Sequence, residues 1–244
     1  MTAEPALEVR ELGVRVGSRW IVRDVSFEAK PGELVAVIGP NGAGKTTLLE
    51  TMVGLRPASA GMVRFGQRTL DGFADFARHF SFLPDAGVLP PEATVRTLID
   101  HASSRAPREV ETRSLREGLA LEPLLAKPVG ILSRGEHQRV ALFCSLALGR
   151  AVAVLDEPFS AFDPLQLRQV LATVRDRIGS TTTVVASIHQ LADAERVADR
   201  ILILADGKMV AFGDLASLRD RVGSPEASLE DVFALLLKEA NLAS

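Results

Sequence analysis

Two half-buried strands open the pattern, Leu7 to Val16 and Ile21 to Ala29, and Gly17-Ser18 between them reads as the turn of an antiparallel hairpin. After Pro31-Gly32 the pattern changes. Leu34-Val35-Ala36-Val37-Ile38 is apolar and β-branched without interruption, as in a strand buried on both faces. Further buried strands are expected at Phe80 to Leu83, Val152 to Leu155, Thr183 to Ile188 and Ile201 to Leu204. Helical patterns separate most of them, which predicts an α/β fold with a mostly parallel sheet covered on both faces.

The middle of the chain reads differently. From Thr94 to Leu148 there are helical patterns, no strand, and breakers at Pro107, Pro123, Pro128 and Gly130, so a helical insertion is expected between two strands. Near the end, Leu229, Val232, Phe233, Leu236 and Leu237 share one helical face, read as packing against the chain's own domain. No internal repeat or low-complexity segment interrupts this order.

Composition narrows the class. With 47% apolar and 24% charged residues in 244, the chain can bury a core. A net charge of −3, with signs interspersed, argues against binding nucleic acid through a broad basic surface. The single Cys144 excludes an intramolecular disulfide, and its neighbours Ala141-Leu142-Phe143 favour packing over nucleophilic chemistry. Met1-Thr2-Ala3-Glu4-Pro5 lacks the pattern of a signal peptide. No apolar run approaches the ~20 residues that cross a bilayer. The expectation is a soluble intracellular protein that reaches any membrane through another chain.

Gly39-Pro40-Asn41-Gly42-Ala43-Gly44-Lys45-Thr46 fits G-x-x-x-x-G-K-[ST], between a buried strand and a helix carrying Leu48, Leu49 and Met52. Glycines let backbone N–H groups converge on phosphate, and the helix N-terminus favours negative charge. Lys45 supplies a point charge for the outer phosphates, and the Thr46 hydroxyl suits Mg²⁺. The segment is read as the site of a nucleoside triphosphate. A second strand, Val152 to Leu155, ends in Asp156-Glu157 at the sheet edge where ligands bind in such folds. Asp156 is placed to hold Mg²⁺ and Glu157 to polarise an attacking water. The third feature, Ser133-Arg134-Gly135-Glu136, is a capping box opening a helix, and a capped helix start beside a glycine is also a second anion site.

Together these residues resemble the nucleotide-binding domain of an ATP-binding cassette (ABC) ATPase over nearly the whole chain. Gly39 to Thr47 resembles the Walker A motif, Val152 to Glu157 the Walker B motif with its catalytic glutamate, and Leu132 to Glu136 the family signature. Ser160-Ala161-Phe162-Asp163 resembles the D-loop, and His189 the switch histidine that senses the γ-phosphate. The resemblance implies a P-loop NTPase (RecA-like) core with an N-terminal antiparallel β subdomain and an inserted helical subdomain. One domain spans 1–244, with core segments 1–85 and 149–227, a helical insertion 86–148 and a C-terminal helix 228–244. It also implies a head-to-tail dimer in which Ser133 and Gly135 of one chain complete the ATP site of the other, and Asp163 couples the two sites.

Three positions depart from the family. Arg134 replaces the second signature glycine and Glu136 the glutamine; the arginine needs room, and its charge is expected to add to phosphate binding. Asp85 stands where a glutamine is usual, as a ligand for Mg²⁺ or water or as a turn residue after Pro84. The aromatic residue that stacks on adenine falls at Val16; Trp20, four residues on, either replaces it or packs beneath the loop, leaving ATP against GTP open.

The resemblance implies an ATPase subunit that uses ATP and Mg²⁺, peripheral on the cytoplasmic face of a membrane and driving separate permease subunits. Ser228-Leu229-Glu230-Asp231-Val232-Phe233 resembles the tail of ABC-2-type exporter ATPases, and an acidic Asp85 leans the same way. Two alternatives stand beside it: a non-transport ABC ATPase acting on ribosomes or DNA, and a catalytically weak subunit of a heterodimer. A single cassette without sustained heptads disfavours the first, and the presence of Glu157 and His189 the second.

Overall fold

The computed structural model describes residues 6–85, 89–108, 110–180 and 182–242. The N-terminal segment Met1 to Pro5 lies outside them. The hairpin is present as β1 (Leu7–Val16) and β2 (Arg19–Ala29), paired antiparallel with Leu7 opposite Ala29. Two strands that the apolar pattern does not mark, β4 (Ala60–Phe65) and β5 (Arg68–Thr69), extend it into a four-stranded sheet of order β2-β1-β4-β5.

The second sheet contains β3 (Leu34–Ile38), β6 (Phe80–Leu83), β7 (Val152–Leu155), β8 (Thr183–Ser187), β9 (Arg200–Ala205) and β10 (Lys208–Gly213). Its order is β10-β9-β3-β8-β7-β6, parallel throughout except for β10, which hairpins back on β9. Alternate residues of one strand enter different cores, as the pleat requires. Leu34, Ala36 and Ile38 face a helical core, while Val35 and Val37 face a second core shared with the antiparallel sheet.

Between Thr94 and Leu148 come α3 (Val95–Arg105), α4 (Thr112–Gly118), two short 3₁₀ turns and α5 (Arg134–Ala147), with α3 packed on α5 and no named strand among the described residues. The other helices are α1 (Lys45–Met52), α2 (Gly72–His79), α6 (Pro164–Ser180), α7 (Leu191–Val197), α8 (Leu215–Arg221) and α9 (Leu229–Leu242). On α9, Leu229, Val232 and Leu236 are fully buried in the chain's own core, with Phe233 and Leu237 partly so. Glu195 of α7 fixes this end: it accepts the Leu229 N–H at 3.1 Å and Arg219 Nη2 of α8 at 3.1 Å. Among the described residues no helix is long and apolar enough to cross a membrane. Cys144 is largely buried, which pushes its thiol up to about 11 and suits packing.

Candidate functional site

Parallel pairing puts the C-terminal ends of β3, β8, β7 and β6 on one edge of the sheet. Gly39 follows β3, His189 follows β8 by one residue, Asp156 and Glu157 follow β7, and Asp85 follows β6 by one. That edge is where ligands bind in open α/β folds.

The Gly39 to Thr46 loop joins β3 to α1. Lys45 is buried to 9% exposure and donates from Nζ to the carbonyls of Gly39 at 2.9 Å and Pro40 at 3.3 Å. The lysine thus holds the loop shut around its own ammonium. Helix α1 begins without a side-chain cap, so its first-turn N–H groups have no side-chain acceptor. Asn41, Gly42 and Thr46 are exposed, Thr47 is half-buried and Ala43 is buried.

Asp156 is 2% exposed and accepts the Ser187 hydroxyl on Oδ1 at 2.5 Å. The same hydroxyl oxygen accepts the Glu157 N–H at 2.7 Å. Ser187 is fully buried on β8, two residues before His189, and sequence reasoning gave it no role. Its only signal there is a polar residue inside an otherwise apolar strand.

Glu157 occupies the left-handed region, φ +49°, an uncommon conformation for a side chain of this kind. Burial pushes its carboxyl above the usual carboxylate range; Lys45 and His189 attract its charge, while Asp156 and Asp85 repel it. Four candidate residues, Lys45 at the start of α1 and Asp85, Asp156 and His189 after β6, β7 and β8, are therefore in electrostatic reach of the Glu157 carboxylate. Asp85 and His189 are themselves exposed.

The signature lies at the start of α5. Ser133 caps the helix reciprocally: its Oγ accepts Glu136 N–H at 3.3 Å, and Glu136 Oε2 accepts Ser133 N–H at 2.8 Å. Accepting that bond leaves the Ser133 proton free to donate. Lys127 donates to Glu136 Oε1 at 2.8 Å, and this bond together with the cap lowers the carboxyl to about 2. Arg134 turns back onto its own chain, with Nη2 donating to Ser160 Oγ at 3.1 Å.

Asp163 caps α6, accepting the N–H groups of Leu165 and Gln166 at 2.9 Å each, a local role the sequence reading did not assign. Trp20 lies inside β2, 37% exposed, with its ring against Gly13 across the hairpin and Arg15 5.9 Å from the ring centroid. Val16 is 56% exposed on the facing strand.

Ser187 occupies Oδ1 of Asp156, and among the described residues no donor holds Oδ2. A buried carboxylate oxygen without a donor is a hard ligand of the kind Mg²⁺ takes, and the exposed Thr46 hydroxyl in the first turn of α1 is of the same chemical class.

Known proteins resemble the chain throughout its length. The family model described as ABC transporter matches residues 22–160. The ABC-type transporter ATP-binding protein EcsA of Bacillus subtilis is 30% identical over 242 residues, covering 96% of this chain and 97% of that one. The hemin import ATP-binding protein HmuV of Pseudomonas aeruginosa is 35% identical over 222 residues, 85% of this chain and 86% of that one. A solved ATP-binding subunit of an ABC transporter superposes with a TM-score of 0.86 at 30% identity, over 95% of this chain and 99% of that one.

Proposed function

The chain belongs to the ABC transporter family as an ATP-binding, ATP-hydrolysing subunit, and from that premise we propose that it closes head to tail with a second cassette on ATP and drives separate permease subunits. The observation that supports this most is the convergence of Lys45, Asp156, Asp85 and His189 on the raised carboxyl of Glu157.

In this reading residues 1–244 act as one ATPase domain whose helical insertion carries the signature. The backbone from Gly39 to Thr47 cradles the phosphates, Lys45 neutralises the outer ones, and Thr46 and Asp156 hold Mg²⁺, with Asp85 a further oxygen ligand. Bound there, the ion would screen the phosphate oxygens as charge develops. Glu157 accepts the proton of a water aligned on the γ-phosphorus; the water oxygen bonds to that phosphorus as its bond to the bridging oxygen breaks, ADP leaves with the electron pair of that bond, and the proton stays on the carboxyl until phosphate is released. A raised carboxyl is a stronger base than an ordinary one, which suits the task. His189, exposed at the end of β8, orients the γ-phosphate. Ser133 and the Gly135 N–H close over the ATP held by the second cassette, Arg134 and Glu136 shape that helix start, and Asp163 lies between the sites. Val16 and Trp20 flank the base, and the adjacent Arg15 leaves its identity open.

The chain works at the cytoplasmic face of a membrane, through permeases that choose the substrate. Export is the direction we infer, from the Ser228 to Phe233 tail and the acidic Asp85. Import is the second reading, favoured by relatives such as the hemin import protein. A steady-state ATPase assay beside Glu157→Gln tests the catalytic reading; undiminished turnover removes Glu157 from its role. Co-purified membrane partners, reconstituted in vesicles with ATP outside, decide direction: substrate entering the lumen supports export, and substrate leaving it supports import.

A further inference from the structure

Glu157 keeps a left-handed backbone, and such a conformation persists only where its surroundings over-determine it. Its N–H is held on one side by Ser187 Oγ. On the other side its carbonyl accepts the Ser160 hydroxyl at 3.2 Å. A serine hydroxyl has one proton, and that proton is given to Glu157. The remaining lone pairs of Ser160 Oγ face Arg134, whose Nη2 donates at 3.1 Å. The guanidinium therefore fixes the hydroxyl rotor in the direction that serves the Glu157 carbonyl.

The same helix start grips the loop at further points. One turn on from Arg134, Gln138 is 6% exposed and donates from Nε2 to the Pro158 carbonyl at 3.3 Å. Between them, a Cβ on Gly135 would lie 3.2 Å from the Ala161 carbonyl, so helix and loop are in close contact. Three neighbouring residues on α5 thus bear on the segment from Glu157 to Ala161.

We propose that Arg134 is a positioning residue for Glu157 of its own chain, acting through Ser160, rather than a contact to the phosphate across the dimer. The inference rests on the reading of Glu157 as the base, and it assigns an arginine that departs from the family glycine to intrachain work. It also links two events. The α5 start that meets the second cassette's ATP through Ser133 and Gly135 is the same start that holds Glu157 in place, so docking on one site is felt at the other.

The test is a double-mutant cycle on the full chain, or on its complex with the second cassette, with kcat and the KM for ATP measured for Arg134→Gly, Ser160→Ala, the double variant, Arg134→Lys and Glu157→Gln. Arg134→Gly and Ser160→Ala are each expected to lower kcat about three- to tenfold, as the loss of one ordinary hydrogen bond would, with KM within about twofold. The double variant should fall no further than the lower single, because both changes break one chain of contacts. Arg134→Lys, which still offers a donor, should recover most of kcat. Unchanged kcat in Arg134→Gly overturns the proposal. So do losses that multiply, or a raised KM with kcat preserved, the pattern of a direct phosphate contact. If Glu157→Gln remains active, the reading of the base fails instead, and that result is visible separately.

Discussion

Ser187 Oγ bonds Asp156 Oδ1 at 2.5 Å and the Glu157 N–H at 2.7 Å, so one buried hydroxyl on β8 orients both acids at the end of β7. Ser187→Ala leaves the Glu157 N–H and one Asp156 oxygen without this partner. A loss of about 1–3 kcal/mol in stability is expected, the cost of unsatisfied buried polar groups. Denaturant unfolding measures it, and Mg²⁺-dependent turnover should fall further than binding of nucleotide without metal.

Glu157→Gln should trade activity for stability. The folded carboxyl titrates above the ordinary 4.5, so between that value and the raised one the folded chain holds a proton that the unfolded chain has released. Stability is lost as pH rises through this window. Removing the charge is expected to stabilise the chain at pH 7 to 8, with the gain vanishing below pH 4.5, while turnover drops by about two orders of magnitude or more. Unfolding curves at pH 4 to 8 check the first part and ATPase rates the second.

The Lys127–Glu136 pair has the opposite sign. Glu136 is lowered to about 2, so its contribution is complete above the ordinary 4.5 and disappears as pH falls towards 2. Lys127→Gln should cost about 0.5–1 kcal/mol at neutral pH, the range of partly exposed ion pairs, and the difference should shrink between pH 4.5 and 3 and at high salt. Paired unfolding measurements of both chains across that range read it directly.

Two glycines of the phosphate loop separate fold from binding. A Cβ on Gly39 would collide with the Leu204 carbonyl oxygen of β9, whereas Gly42, at φ +79°, has nothing within 4 Å of the same position. Gly39→Ala should fold poorly. Gly42→Ala should lose only about 1–2 kcal/mol from the left-handed backbone yet bind ATP weakly, because the methyl enters the space the phosphates use. Thermal unfolding and nucleotide titration of the two variants should rank in opposite order.

The strands legible in sequence were those buried on both faces, where apolar runs such as Leu34 to Ile38 carry the signal undiluted, and the half-buried pair β1 and β2, set off by Gly17 at the turn. What the pattern does not mark is short or largely exposed. Strand β4 has Ala60, Gly61 and Met62 exposed, β5 is two residues long, and α2 buries only Phe76 while Phe73 is 63% exposed. Candidate site residues that share a local motif stand out in sequence in the same way. Ser187 was not, because its role exists only once β8 pairs with β7, Ala186 lying opposite Leu155. Arg134 read as an anion contact from its motif alone, and its bond to Ser160 depends on a fold that brings residues 26 apart together.

The Glu195 tie has a practical corollary. His189 stands two residues before α7, and Glu195 on that helix holds the first N–H of α9. A purification tag that unseats α9, or a truncation before Leu229, is therefore not a neutral handle. It frees one oxygen of the Glu195 carboxylate, the other staying with Arg219, and strips apolar cover from the helix that begins beside the histidine, so altered turnover in such a protein would report the engineering of its tail.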